Sequence, residues 1–411
     1  MRKLFFPFAI ALLFSSLFIS CSNSVQTGSN TNYYKMQMSV DSIRTALQTS
    51  VGKTIPSLNV LITTPTDEYF ISSVPPGNLP LTKDTYFRFA SNTKNFTSAS
   101  ILNMQQDGWL NIDSKITDTI PGTSITYVPS TPQWNIPNKN QISIKNLLQH
   151  SAGVYDVSND PAPGYPNSYV LDVQIAEPNH QFSSGELVGV AATNNLSYFL
   201  PGTNHHYSNT GYTILSEIIA RVYSSHAGSP KLYSEYIYNY LTGPFAMVPV
   251  DVRFPYLATD NTIPSPNTPG KVYFEDGTIT NTSVYNKSAN VGEGNGYGTM
   301  AMLRTYIRSM ISGNNILNAT SLNLMKNEIS PGSPNYALGC ALFTNLGYGH
   351  TGATMGYFSC MFYDPLTGVS VIGSIPFWDL TNGGVNFYKP FYTMLDACWA
   401  VRSVLGYPGK P

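Results

Sequence analysis

Apolar positions recur at near-helical spacing from Met36 to Val51, which predicts an N-terminal helix. Leu58–Thr63 and Tyr69–Ser73 are short apolar runs between turn residues and read as strands. Ser91–Gln106 returns to a helical pattern, and Gly108 lies just past its end, where helices commonly stop. From about Leu110 to Gly298 the pattern loosens. Helix-like runs at Ile144–His150, Thr210–Ser225 and Lys231–Leu241 alternate with loops rich in Pro, Asn and Gly, such as Asp160–Asn167 and Pro264–Gly270. Within the second run Ile214, Leu215, Ile218, Ile219 and Val222 form one apolar stripe, as on a helix facing a core. Beyond Gly298 a helix over Met300–Ser312 precedes three strand-like runs: Tyr336–Phe343, Tyr357–Tyr363 and Val369–Ile375. A final amphipathic helix covers about Phe387 to Val404. This layout predicts one α/β layer assembled from both chain ends, with a helical region inserted between them.

The first twenty residues follow another logic. Arg2 and Lys3 form a short positive region, and Leu4–Ile19 is apolar except for Pro7, Ser15 and Ser16. That stretch is short for a membrane span of about 20 residues and reads as a signal peptide for export. It ends Leu17-Phe18-Ile19-Ser20-Cys21, and a small residue before cysteine resembles a bacterial lipobox. Cys21 is thus expected to become a lipidated N-terminus, anchoring the protein to a membrane as a periplasmic or cell-envelope lipoprotein. Residues 21–33 are polar enough to serve as a tether.

Composition narrows the function classes. Of 411 residues, 42% are hydrophobic and only 11% charged, so a sizeable core is available and a disordered polyelectrolyte is excluded. The net charge of −1 offers no electrostatic case for binding nucleic acid. Besides Cys21 the chain holds Cys340, Cys360 and Cys398, an odd number. Cys340 and Cys360 fall on neighbouring strand-like runs, but the general reading is three small buried hydrophobes. There is no C-x-x-C, no H-E-x-x-H and no G-x-x-x-x-G-K-[ST], so the sequence calls for no metal or cofactor. The alternating Gly292, Gly294, Gly296 and Gly298 do not satisfy G-x-G-x-x-G.

Three short segments carry candidate chemistry. Ser91 and Lys94 lie three apart, so a helix places them on one face. A serine hydroxyl needs a base to become a nucleophile, and lysine serves only if its amine is deprotonated. Its free pKa is about 10.4, so burial or nearby cations must lower it. Taken alone the spacing is common. Tyr207-Ser208-Asn209 follows Pro201-Gly202 and precedes a helix; the tyrosine can relay a proton and the asparagine can hold an amide or cap the helix. His350-Thr351-Gly352 comes just before a strand, and glycine there permits close backbone approach.

Together, in this order, the three segments resemble the serine β-lactamase and penicillin-binding protein family, in its class C and D-alanyl-D-alanine carboxypeptidase-like branch. The flanks agree: Phe87-Arg88-Phe89-Ala90 before Ser91, Leu147-Leu148-Gln149-His150-Ser151-Ala152-Gly153, and His350-Thr351-Gly352-Ala353. The similarity runs from about Met36 to Val404. It implies an α+β fold: an antiparallel sheet flanked by the terminal helices, formed by about 34–110 and 299–411, with a mainly helical insert over about 111–298. It implies that Ser91 is acylated, that Lys94 and Tyr207 share the proton transfers (either being the base), and that Asn209 orients the substrate amide. Backbone N–H groups of Ser91 and Ala353 would form the oxyanion hole; His350, Thr351 and Gly352 would line the substrate. Where class C β-lactamases carry lysine this chain has His350, as in carboxypeptidase, D-aminopeptidase and esterase members. The resemblance therefore implies an exported serine hydrolase for D-amino-acid peptides, amides or small esters. The alternatives are an esterase or weak β-lactamase, or a non-catalytic envelope binding protein on the same fold.

Overall fold

The computed structural model describes residues 30–411 except 245, 247 and 314. The expected signal peptide and Cys21 lie outside the described residues. In chain order the elements are α1 (Asn30–Val51), β1 (Leu58–Thr63), β2 (Glu68–Ser73), β3 (Tyr86–Arg88), α2 (Thr93–Gln106) and α3 (Ile144–Leu148). There follow α4 (Tyr169–Ala176), α5 (Ser184–Thr193), α6 (Asn209–Ala227), α7 (Tyr233–Tyr236), β4 (Lys271–Tyr273), β5 (Ile279–Asn281) and β6 (Tyr297–Thr299). The C-terminal part holds α8 (Met300–Ser312), α9 (Ala319–Asn327), β7 (Ala341–Phe343), β8 (Gly347–Thr354), β9 (Tyr357–Asp364), β10 (Val369–Ile375), β11 (Phe377–Asp379) and α10 (Lys389–Val404).

The main sheet has the order β2-β1-β10-β9-β8-β7 and every pairing is antiparallel. The N-terminal hairpin thus closes onto C-terminal strands, as the two-ended pattern predicts. Period-two alternation splits the sheet's side chains between two cores. Val60, Ile62, Phe358, Cys360, Phe362 and Val371 pack with Met36 and Val40 of α1 and Met394 and Val401 of α10. Leu61, Tyr357, Met361 and Ile372 point the other way, into a core that includes Phe96 of α2, Ile218 of α6 and Tyr306 of α8. Both faces are covered, which is why β1 and β10 are buried along their whole length.

Three expectations need correction. Ser91 sits in a short 3₁₀ turn, Ala90–Asn92, and the α-helix proper begins at Thr93. Lys231–Leu241 is not one α-helix; α7 is four residues long and continues as a π-helical turn over Ile237–Thr242. Tyr336–Cys340 is irregular, and the strand that precedes β9 is Gly347–Thr354, which includes the His350 segment expected just before a strand. The three cysteines are free and buried, as small hydrophobes, and Cys360 and Cys398 lie 3.6 Å apart.

Candidate active site

Helix α2 is buried from Thr93 through Met104, so it runs through the core with its first turn at one edge of the sheet. The turn before it is fastened by one carbonyl. Phe89 O accepts from Asn92 Nδ2 (2.8 Å) and from Ser359 Oγ (2.9 Å) of β9. Ala90 takes a positive φ of 54°, uncommon for a residue with a side chain, and Ser91 after it is half-buried. In the register of the sheet Gly352 faces Ser359. A Cβ on Gly352 would lie 2.4 Å from Phe89 O and 2.6 Å from Ser359 Oγ, so glycine is what lets β8 approach the nucleophile turn. Strand β7 pairs only with residues 347–349 of β8. The edge from His350 to Thr354 is therefore left without a strand neighbour, with exposed Ala353 lining the cleft beside Asn209.

Lys94 is the chemical centre. Its side chain is fully buried and its Nζ lies 3.2 Å from Ser91 Oγ. Two other contacts are shorter: Nζ donates to Asn209 Oδ1 at 2.7 Å and to the backbone oxygen of Glu293 at 2.8 Å. Both partners are pure acceptors. The Glu293 carboxylate is a third acceptor at 3.4 Å, and in its uncharged form the amine could turn its lone pair to the Ser91 hydroxyl. Burial lowers the amine below its ordinary range, against the opposing pull of the Glu293 and Asp156 carboxylates.

The second segment arrives at the start of α6. Ser208, not Asn209, caps that helix by accepting from Gly211 N (3.2 Å). Asn209 is thereby free to hold Lys94, while its own N–H donates to Asp156 Oδ2 (3.0 Å). The Tyr207 phenol is hydrogen-bonded to Ser91, and its ring lies 4.8 Å from Lys94 Nζ. Desolvation pushes that phenol well above its ordinary value.

A chain of rings fixes this loop against β8. Ser208 N donates to His150 Nδ1 (3.1 Å), which makes Nε2 the protonated nitrogen facing Tyr336 Oη at 3.2 Å. Tyr336 Oη in turn lies 3.0 Å from His350 Nε2. His150 also packs against Tyr207, with ring centroids 4.1 Å apart. Burial drives His350 down to about 3, so the ring beside Thr351 is neutral. The structure thus brings Ser91, Lys94, Tyr207, Asn209, Gly352 and Ala353 to one place, with His350 behind them as a support.

One group was not anticipated. Glu293 is buried and its Oε2 lies 3.4 Å from Lys94 Nζ. Asn290 Nδ2 donates to its other oxygen, Lys287 Nζ donates to Asn290 Oδ1 (3.3 Å), and Lys287 also donates to Thr354 Oγ1 on β8. The only sequence signal was the glycine alternation around it, and Gly292, at φ 80°, packs directly on Ser216 and Tyr212 of α6. All four side chains line a cleft of about 650 Å³, whose lining also includes the apolar Val170, Leu171, Trp378 and Phe387.

A family described as Beta-lactamase matches residues 43–374. The chain is 31% identical over 143 residues to a putative D-alanyl-D-alanine carboxypeptidase of Escherichia coli (strain K12), covering 34% of this chain and 29% of that one. The first curated relatives it matches are spanned only in part, about 27% to 29% of their length. Among solved structures, a D-amino acid amidase from Ochrobactrum anthropi SV3, complexed with L-phenylalanine amide, superposes with a TM-score of 0.67 at 20% identity, covering 90% of this chain and 98% of that one. A D-stereospecific amidohydrolase from Streptomyces sp. gives a TM-score of 0.64 at 23% identity, covering 82% and 93%.

Proposed function

This chain belongs to the beta-lactamase family, and from that premise we propose that it is a serine hydrolase that cleaves amides or peptides of D-amino acids, or small esters, through an acyl-enzyme on Ser91. The observation that carries this reading is the Lys94 amine, fully buried, 3.2 Å from the Ser91 hydroxyl and held by Asn209 and the Glu293 backbone oxygen. In the first step Ser91 Oγ bonds to the substrate carbonyl carbon and its proton passes to Lys94. The Tyr207 phenol, which burial keeps protonated, donates to the leaving amine and is refilled from Lys94. The free edge of β8 and the Ser91 turn offer backbone N–H groups to the oxyanion, with Ala353 the donor on the strand. Asn209 sits where it can hold Lys94 and meet the substrate amide.

The D-amino-acid specificity named for the neighbours supports the substrate class, and the apolar residues in the cleft lining support a substrate with an apolar side chain. A neutral His350 beside Thr351 puts no fixed cation there. We further propose export and lipid anchoring at Cys21, on the pattern of the first twenty-one residues. The test is incubation with a fluorescent penicillin or a fluorophosphonate followed by peptide mass spectrometry, alongside turnover of paired D- and L-phenylalanine amides. A label on Ser91 that disappears in Ser91→Ala, with preference for the D-amide, is expected. Failure of both probes to mark Ser91 and no turnover of either amide would overturn the reading in favour of a binding protein.

A further inference from the structure

Asp156 is a buried carboxylate to which the acylation step gives no part. It is 1% exposed, and its hydrogen-bond partners are all N–H groups. Oδ1 accepts from Ser158 N (3.0 Å) and Asn159 N (3.3 Å), which closes the turn that follows it. Oδ2 accepts from Asn159 Nδ2 (2.8 Å) and from Asn209 N (3.0 Å), the first N–H of α6. A carboxylate oxygen has two lone pairs, so four donors leave no place for a proton. The group is bonded as an anion, at the helix end that favours negative charge.

Resting on the acyl-enzyme reading, we propose that Asp156, as an anion, is a positioning residue for the Ser91 nucleophile, holding the start of α6 where Asn209 and Tyr207 reach Lys94 and Ser91. Three observations carry this. First, the grip on α6 is double: beside the bond from Asn209 N to Asp156, Val157 N donates to Thr210 Oγ1 (3.0 Å). Second, the gripped turn carries the chemistry. Asn209 Oδ1 makes the shortest contact of Lys94 Nζ, at 2.7 Å, and the Tyr207 phenol two residues earlier is hydrogen-bonded to Ser91. Third, the segment is anchored from the far side as well, since Asp156 N donates to Tyr198 Oη (3.0 Å). Closing its own turn would occupy only Oδ1; the other oxygen is given to α6.

The charged and titratable groups around Asp156 are Lys94 of α2, Glu293 before β6, Tyr207 and Tyr198 ahead of α6, and Tyr155 beside it. The three tyrosines are raised and stay phenols. Asp156 itself moves up to about 6, burial being the largest cause. Below that value a proton displaces one of the four N–H donors and loosens the grip. Lys94 loses its basic form in the same direction, so the two effects multiply.

The experiment is single-turnover release of p-nitrophenolate from the p-nitrophenyl ester of N-acetyl-D-phenylalanine, with enzyme in excess, on the full chain and on Asp156→Asn across pH. The plateau rate at saturating enzyme measures acylation and does not depend on the fraction folded; the half-saturating concentration measures substrate binding. Asparagine keeps the size but turns its NH₂ towards N–H donors. The plateau is expected to fall by about 10²-fold, the loss that a misplacement of about 1 Å brings, with half-saturation within about threefold of the parent. In the parent, acylation should fall with the second power of proton concentration below about pH 6, and in Asp156→Asn with the first power only. A variant plateau within about threefold of the parent overturns the proposal. So does a second-power fall that persists in the variant, which assigns it to Glu293. If the variant does not fold, the parent's profile decides, and a first-power fall continuing well below pH 6 overturns the proposal. A parent that forms no adduct at Ser91 by mass spectrometry removes the acyl-enzyme reading itself, a failure distinct from these.

Discussion

At the scale of single residues the site turns on what burial does to two hydrogen-bonding groups. The same loss of water lowers Lys94 and raises Tyr207, because in each case it is the charged form that goes unsolvated. Both shifts favour the uncharged form, an amine able to accept the Ser91 proton and a phenol able to donate one. The acylation rate should rise with pH and level off above the Lys94 amine's pKa, since only the neutral amine accepts the Ser91 proton. The midpoint is expected below 10.5, the ordinary lysine value. Removing the carboxylate that favours the ammonium, in Glu293→Gln, should move that midpoint further down. Pre-steady-state acylation rates across pH measure it, and a limb that stays in place in the variant would show that the two groups are not coupled. Ser91, Lys94, Tyr207 and Asn209 were named as candidates because their short segments, in order and with their flanks, resemble a known family, although each spacing taken alone is common. Glu293 was not legible, since the 199 residues separating it from Lys94 leave no periodicity connecting them.

At the scale of elements, glycine decides where backbones meet. Strand β8 holds Gly347, Gly349 and Gly352, so its composition reads as a turn. In the sheet those positions are demanded by contact: a Cβ at Gly349 would fall 1.8 Å from Met361 O, and one at Gly352 would strike the carbonyl that fastens the nucleophile turn. Gly352→Ala should push β8 away from Ser91. The expected result is a loss of kcat/KM of at least about 10²-fold, the order seen when one oxyanion donor is lost, with a stability cost of about 1–3 kcal/mol, typical of overpacking. Steady-state kinetics and chemical denaturation check both; parent-level kcat/KM would show that the close approach is not needed. The same logic explains the 3₁₀ turn at Ser91. Helical periodicity alone extends α2 back to the serine, whereas Ala90 at positive φ and the Phe89 carbonyl hold that turn in a tighter form.

At the scale of the whole molecule, histidines tie the sheet to the helical region, and they do so uncharged. His150 and His350 face each other across Tyr336, and burial is the largest cause lowering both. A base whose pKa is depressed on folding takes up its proton more readily when unfolded. Stability is therefore fully present above the unfolded histidine pKa of about 6.5 and is lost as pH falls from there towards about 3, the value for His350. Within that window the slope is about 1.4 kcal/mol per pH unit for each histidine held neutral. Thermal melts of the parent and of His350→Gln between pH 7 and pH 4 measure it; identical slopes would mean that the ring is not held neutral. The two-ended sheet was legible because strands and helices are local patterns, and the apolar runs at each chain end have nowhere else to bury both faces. The candidate nucleophile and its partner were named from the resemblance of their segment and its flanks to a known family, a spacing of three being common by itself. Proton affinities, the glycine contacts and the placement of Glu293 were decided only by the tertiary structure. Desolvation, steric contact and charge act through space, between atoms that the chain brings together from 100 to 300 residues apart.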